Sequence, residues 1–192
     1  MPNFVTNQKK YSPPHHPLYD HTTTPPYFLL MTQLILSVAQ AQQKIERIAF
    51  EIYERNFEEP TLVLAGITGE GYAIAVQLSV ILKRICPLEI QLTKIEIDKT
   101  APYSQPVKFD IENAQLAGRV VIVVDDVLYT GRTLAYSLSP LLGVAVKKVQ
   151  VAVMINRNHH LFPIAADYEG YALSTTLNEH ISVNLKEGIY LS

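Results

Sequence analysis

Val120 to Thr133 reads VVIVVDDVLYTGRT: five aliphatic residues run straight into two adjacent carboxylates and then a Thr-Gly turn that opens a helix. A continuous, β-branched apolar run of this length marks a strand buried on both faces, and such strands belong to parallel sheets covered by helices. No other stretch narrows the choice of fold as much. It also poses a chemical question, namely what ligand needs paired acids and a ring of backbone amides at the end of one buried strand.

The rest of the chain supplies the elements that such a sheet requires. Leu34-Ile35-Leu36 is a short apolar run followed by Ser37, with Gln40 three residues later. That spacing lets hydroxyl and amide satisfy free helix amides reciprocally, so a helix is expected to start at Ser37. Ile45, Ile48, Ala49 and Ile52 recur at helical spacing and leave Lys44, Glu46, Arg47, Glu51 and Arg55 on wetter faces, with the helix ending near Asn56. Thr61 to Gly66 reads as a buried strand, Gly71 to Ile85 as a helix stopped by Pro87, and Glu89 to Ile97 as a further strand. Asp98 to Gly118 holds Pro102 and Pro106 and lacks periodicity, and a loop of this length in a compact domain is usually a working part such as a lid. After the central strand come an expected helix over Thr133 to Leu142, ended by Gly143, and a strand over Lys148 to Ile155. The tail has strand-like pieces at Ala165 to Tyr168 and Ile181 to Leu185, punctuated by Gly170 and Gly188. The expected fold class is α/β, a central parallel sheet with helices on both faces plus a small hood formed by the tail and the first short strand.

Residues 1–30 depart from this pattern. They hold six of the 12 prolines, a run of threonines at Thr22 to Thr24, and no Gly or Glu, so they are expected to be disordered or a mis-assigned start, with the folded domain at 31–192. His15, His16 and His21 are read there as a solvated tail rather than a metal tract. Without Lys9, Lys10 and Asp20 the chain keeps 14 basic and 17 acidic residues, a net charge of -3. No global positive field then draws it to nucleic acid or anionic lipid. A lone Cys86 excludes a disulfide scaffold and cysteine-based metal sites. No apolar run reaches the roughly 18 residues that span a bilayer, and no secretory signal is recognisable, so a soluble, cytoplasmic protein with no membrane partner is expected.

In open α/β sheets ligands sit beyond the carboxyl ends of the strands, which is where Asp125 and Asp126 are placed. Because successive residues of a strand point to opposite sides, the pair is expected to fan outward onto neighbouring hydroxyls, or a hydroxyl and a metal-bound water, rather than chelate one atom. Tyr129-Thr130-Gly131-Arg132-Thr133 then offers amides and hydroxyls to a phosphate, with Gly131 allowing close approach. Acids for sugar hydroxyls and amides for phosphate describe a phosphorylated ribose. A lone Asp-Asp pair that merely caps a helix is the plain alternative.

The whole string resembles the signature by which type I phosphoribosyltransferases hold 5-phosphoribosyl-1-pyrophosphate (PRPP), and its LYTGRT ending is most similar to the PyrR family of pyrimidine-operon attenuators that are also uracil phosphoribosyltransferases. KIERIAFEIYERN, LAGITGEGYAIA, KVQVAVMINRNHHLFPIAADYEG and ISVNL resemble the corresponding PyrR segments. The resemblance implies PRPP and a pyrimidine base, most of all uracil, as substrates, Mg²⁺ as cofactor and a homodimer. It places Asp125 and Asp126 as catalytic residues on the ribose hydroxyls and on the metal through water or PRPP, with Tyr129 to Thr133 around the 5-phosphate. Tyr129 stands where purine-using relatives carry an acid. Thr68, Gly69, Glu70 and Gly71 match the pyrophosphate loop, and Asn156, Arg157, Tyr168 and Glu169 the base pocket, with ordinary core packing open as the alternative for Tyr168, under a lid at Asp98 to Gln105. The chain departs from the family where Thr68 and Glu70 replace basic residues, where Lys99 stands in for a lid arginine, and where Asn156 replaces aspartate. In the first helix Arg47 and Arg55 match RNA-facing positions, but a solvated helix face is the favoured reading. An RNA-binding regulator and a PRPP or nucleotide binder with little catalysis remain open beside the enzyme.

Overall fold

A computed structural model describes residues 32–158, 161–174 and 179–192, and the expectations for 1–30 lie outside the described residues. The chain runs β1 (Gln33–Leu36), α1 (Val38–Asn56), β2 (Thr61–Ile67), α2 (Glu70–Ile85), β3 (Glu89–Glu96), β4 (Lys108–Phe109), β5 (Val120–Leu128), α3 (Arg132–Ser137), β6 (Lys148–Asn156), β7 (Tyr168–Ala172), β8 (Ile181–Asn184) and β9 (Gly188–Leu191). The main sheet has the order β4-β3-β2-β5-β6-β7, all parallel except the short edge strand β4. A separate antiparallel sheet of order β1-β9-β8 is the hood.

Local chemistry accounts for most of these bounds. Ser37 starts α1 by accepting from the Gln40 amide at 3.3 Å while the Gln40 side chain accepts from the Ser37 amide at 2.9 Å. Ala41, Ile45, Ile48, Ala49 and Ile52 form its buried stripe and pack with α2 on one face of the sheet. Val120, Ile122 and Val124 of β5 point into that layer, whereas Val121 and Val123 point into a second one with Leu134 of α3, Leu141 and Leu116. Helical segments thus cover both faces, unequally: 19 and 16 residues on one, 6 on the other.

Three expected elements are corrected. The helix over Thr133 to Leu142 stops at Ser137 and gives way to a 3-10 turn over Ser139–Gly143, because Pro140 has no amide for the helical ladder and disfavours helical backbone before it. The strand placed at Ala165 to Tyr168 begins at Tyr168; the preceding Asp167 is held by its amide to the Val151 carbonyl and by its carboxylate to the Val151 amide. Gly188 is not a break but the first residue of β9, which returns along β1 with Leu191 opposite Gln33.

β2 and β3 extend to one side of the sheet and β5, β6 and β7 to the other, so the direction reverses between β2 and β5. Pairing of β2 with β5 ends at Gly66 opposite Val124, while β5 continues along β6 to Leu128 opposite Asn156. A crevice therefore opens on one flank of β5 from Asp125 onward, where such sheets hold ligands.

Candidate functional site

Asp125 is the most deeply placed acid of the crevice, 2% exposed, and Asp126 is half-buried beside it. The Asp125 Oδ1 accepts from the Asp126 amide at 2.9 Å, which bends the carboxylate back along the chain. Both Oδ1 atoms consequently converge on one point, the Lys99 ammonium, at 2.7 Å from Asp125 and 2.6 Å from Asp126. The expectation that the pair could not hold a single atom is thus corrected: strand alternation fails where Asp125 hydrogen-bonds to the next residue. Burial, then the adjacent charge of Asp126, push the Asp125 carboxyl up to about 8 against the pull of Lys99. Burial also opposes the charge on Asp126, but its hydrogen bond with Asp125 and the nearby ammonium outweigh this and hold its carboxyl low. Lys99 follows the same pattern, with burial overcome by the two carboxylates so that its ammonium is held more firmly.

Tyr129 to Thr133 turns away from the end of β5 into α3. Gly131 adopts φ 79°, a left-handed conformation that glycine enters at no steric cost, and a Cβ there would lie 3.3 Å from Phe162. The loop is braced from outside, as Leu161 and Phe162 both donate amides to the Thr130 carbonyl at 2.9 and 3.0 Å and Arg132 lies over the Phe162 ring. Among the described residues the amides of Thr130, Gly131, Thr133 and Leu134 have no recorded acceptor, and the Arg132 amide has a long bond of 3.3 Å to the Thr130 hydroxyl. A cleft of about 280 Å³ runs over this loop to Lys99 and Asp125.

The Thr68 to Gly71 loop is built differently. Thr68 donates both its amide and its hydroxyl to the Ile95 carbonyl, at 3.0 and 2.9 Å, so that hydroxyl is already committed. Gly69 turns the chain at φ 95°, and Glu70 opens α2, where a carboxylate complements the positive end of the helix. A Cβ on Gly71 would meet the Val124 carbonyl at 2.9 Å and Asp125 Oδ1 at 3.0 Å, so glycine is what lets this helix start press against Asp125.

A second cleft of about 300 Å³ lies on the other side of Lys99, walled by Asp126, Tyr129, Arg157, His180 and Ile181. Arg157 is 4% exposed and its guanidinium stacks 3.9 Å from the Tyr129 ring centre, tying the end of β6 to the loop after β5. Asn156 donates to Glu169 Oε2 at 2.7 Å and accepts from the Asn158 amide at 3.1 Å. Tyr168 does not join them. Its side chain lies in the core on the α1 side, where its hydroxyl accepts from Asn56 Nδ2 at 3.0 Å and Arg55 lies over its ring, so its placement in the pocket is corrected to core packing. His180 and Ile181 come from the hood, and no local motif in the sequence marks them.

Arg47 and Arg55 are exposed on α1, as expected, and are engaged there as well. Arg47 Nη2 donates to the carbonyls of Glu169 and Gly170 at 2.6 and 3.1 Å, and Arg55 donates to that of Asp167 at 2.9 Å, so both clamp the start of β7 onto α1. Among the described residues no cluster of three or more His, Cys, Asp or Glu forms a metal cage, and no helix is long and apolar enough to cross a membrane.

The phosphoribosyl transferase domain family matches residues 33–187. A protein named bifunctional protein PyrR from Clostridium acetobutylicum is 38% identical over 159 residues, covering 79% of this chain and 89% of the relative. This chain belongs to the PyrR family of phosphoribosyltransferases. The PyrR of Pelotomaculum thermopropionicum is also 38% identical, over 80% of this chain and 88% of its own length. Among solved structures, a hypoxanthine-guanine phosphoribosyltransferase from Bacillus anthracis superposes with a TM-score of 0.62 at 21% identity, covering 78% of this chain and 84% of its own. The hypoxanthine phosphoribosyltransferase of Trypanosoma cruzi gives 0.64 at 15%, again over 78% and 84%. These two establish a shared fold, the type I phosphoribosyltransferase fold, and the sheet order and hood described above are its form in this chain.

Proposed function

We propose that this protein transfers the 5-phosphoribosyl group of PRPP to a pyrimidine base, uracil above all, and releases pyrophosphate. One observation carries the reading: two carboxylates converge in the crevice beside a braced loop whose amides are free to bind a phosphate. Asp125 and Asp126 would take the ribose diol. The Thr130 to Leu134 amides would seat the 5-phosphate, fixing the sugar so that its anomeric carbon faces the base. The stacked Tyr129 and Arg157 form a flat wall suited to a planar ring, with His180 at its edge. The lid at Asp98 to Gln105 would exclude water, which otherwise competes for PRPP.

Mg²⁺ fits this donor set, because it is commonly held by one or two carboxylates together with substrate phosphates rather than by a protein cage. Asp125 and Asp126 would hold it, directly or through water, and when bound it supplies positive charge against the leaving pyrophosphate. A cytoplasmic homodimer is the setting that the family resemblance supports.

A second reading is favoured by the Thr68 to Gly71 loop, whose hydroxyl is spent on Ile95 and whose charge is the carboxylate of Glu70: a PRPP or nucleotide binder with little turnover. RNA regulation is not favoured, since Arg47 and Arg55 are engaged with the backbone of 167–170. Incubating the protein with Mg²⁺, PRPP and each of uracil, hypoxanthine and guanine, and measuring pyrophosphate, separates these. Release with uracil alone supports the transferase. PRPP binding without release selects the binder, and absence of PRPP binding removes both.

A further inference from the structure

Lys99 is a residue whose position the transferase reading does not account for. Its ammonium meets both aspartate oxygens at 2.7 and 2.6 Å, and it lines both the cleft over the Thr130 loop and the cleft walled by Arg157, so it stands where the two join. Any sugar diol or hydrated divalent cation drawn to those oxygens must take this place from it. The contact is exchangeable in kind, because a hydrated divalent cation brings its own positive charge to the same two oxygens. Lys99 itself is 34% exposed, so its ammonium can return to solvent once another cation takes its place at the aspartates.

The backbone under it is anchored. Thr68 ties its amide and hydroxyl to Ile95 at the end of β3, and Asp98 Oδ1 accepts from the amides of Thr100 at 2.9 Å and Ala101 at 3.2 Å. A flexible four-carbon stem on such a root can swing without the lid unfolding. It has a place to go. Asp98, the preceding residue, lines a third cleft of about 390 Å³ together with Thr68, where Lys94 and Lys108 also stand.

We propose that Lys99 is an internal counterion that occupies the diol and metal seat of the ligand-free protein and is displaced by substrate toward the diphosphate. The inference rests on the PRPP reading above. It makes Lys99 a competitor for binding and an aid to turnover, two effects of opposite sign that a merely structural ion pair does not produce.

The test uses the full chain as wild type, Lys99→Met and Lys99→Arg, with melting curves to confirm folding. Titration calorimetry with ribose 5-phosphate and Mg²⁺ should give about fivefold tighter binding for Lys99→Met, because the competing ammonium is removed from both aspartates. With PRPP and uracil, kcat should fall by about tenfold or more without a rise in KM for PRPP, and Lys99→Arg should keep most of it. Equal or weaker binding of ribose 5-phosphate by a folded Lys99→Met protein overturns the proposal. An independent readout avoids substitution at the site: wild-type lysines carrying isotope-labelled methyl groups are followed by NMR, the Lys99 signal being assigned by its loss in Lys99→Arg. That signal should move when ribose 5-phosphate and Mg²⁺ are added, and a signal that stays in place sinks the idea. If neither ribose 5-phosphate nor PRPP binds any form, the PRPP reading itself falls, a result distinct from equal binding by all three.

Discussion

The loops at Thr130 to Thr133 and at Thr68 to Gly71 sit at the same edge of one sheet, each follows a buried strand, and each turns on a glycine of positive φ. Their hydrogen bonding separates them. The first is braced through its carbonyls and leaves its amides open; the second spends a hydroxyl and an amide on Ile95, carries an acid, and packs its Gly71 against Asp125. On the proposed reading one loop offers amides to a sugar phosphate, while the other carries an acid and no cation within Thr68 to Gly71. Binding and turnover are thereby separable properties of this fold, resting on different loops.

The contrast is broken most forcefully by supplying the missing charge. Glu70→Lys should raise kcat for pyrophosphate release by about two orders of magnitude, the worth of converting repulsion into a charge-assisted contact at a desolvated anion, with ribose 5-phosphate affinity unchanged. An unaltered rate would mean that the Glu70 side chain does not face the leaving group. Next comes Gly71→Ala, which forces a methyl against Val124 O and Asp125 and should cost about 2 kcal/mol in denaturant unfolding, with PRPP binding lost alongside. An alanine accepted at full stability would show the two regions to be less tightly joined than 2.9 Å implies. Asp126→Asn should weaken PRPP about tenfold, or about 1.4 kcal/mol, in calorimetry; equal affinity would take that side chain out of the site.

The smallest effect concerns protons. The Asp125 carboxyl is raised to about 8 in the folded, ligand-free protein, so the fold keeps its proton longer than the unfolded chain does. Its contribution to stability is full below the ordinary carboxylate range and declines as pH rises toward 8. A ligand that requires the ionised form behaves oppositely. PRPP affinity should climb as pH rises from 6 through 8 and then level, with proton release visible as a dependence of binding heat on buffer. A flat profile would place the titrating proton elsewhere.

Local chemistry made much of the fold readable in advance. Ser37 and Gln40 announce α1 because their reciprocal bonds are three residues apart, and β5 announces itself by an unbroken aliphatic run. The first short strand and the position of the aspartates followed from the same kind of signal. What escaped depends on partners far away in sequence. β9 is four residues long and lies between β8, just before it, and β1 at the other end of the unit. Tyr168 was assigned to the pocket by analogy, yet its register opposite Ala152 turns the ring toward α1. Lys99 reaches across 26 and 27 positions to the aspartates, and no periodic pattern encodes such a contact.

The pairing of β1 with β9 binds the two ends of the described unit to each other, with the backbones of His180 and Ser192 joined by bonds of 2.6 and 2.9 Å. Since His180 and Ile181 also wall the cleft beside Asp126, both ends of the described unit support that cleft although neither carries its acids. Trimming Gly188 to Ser192, or fusing a bulky tag that pries Gln33 to Leu36 away, would strip that wall from a distance and leave every aspartate and every loop amide in its sequence unchanged.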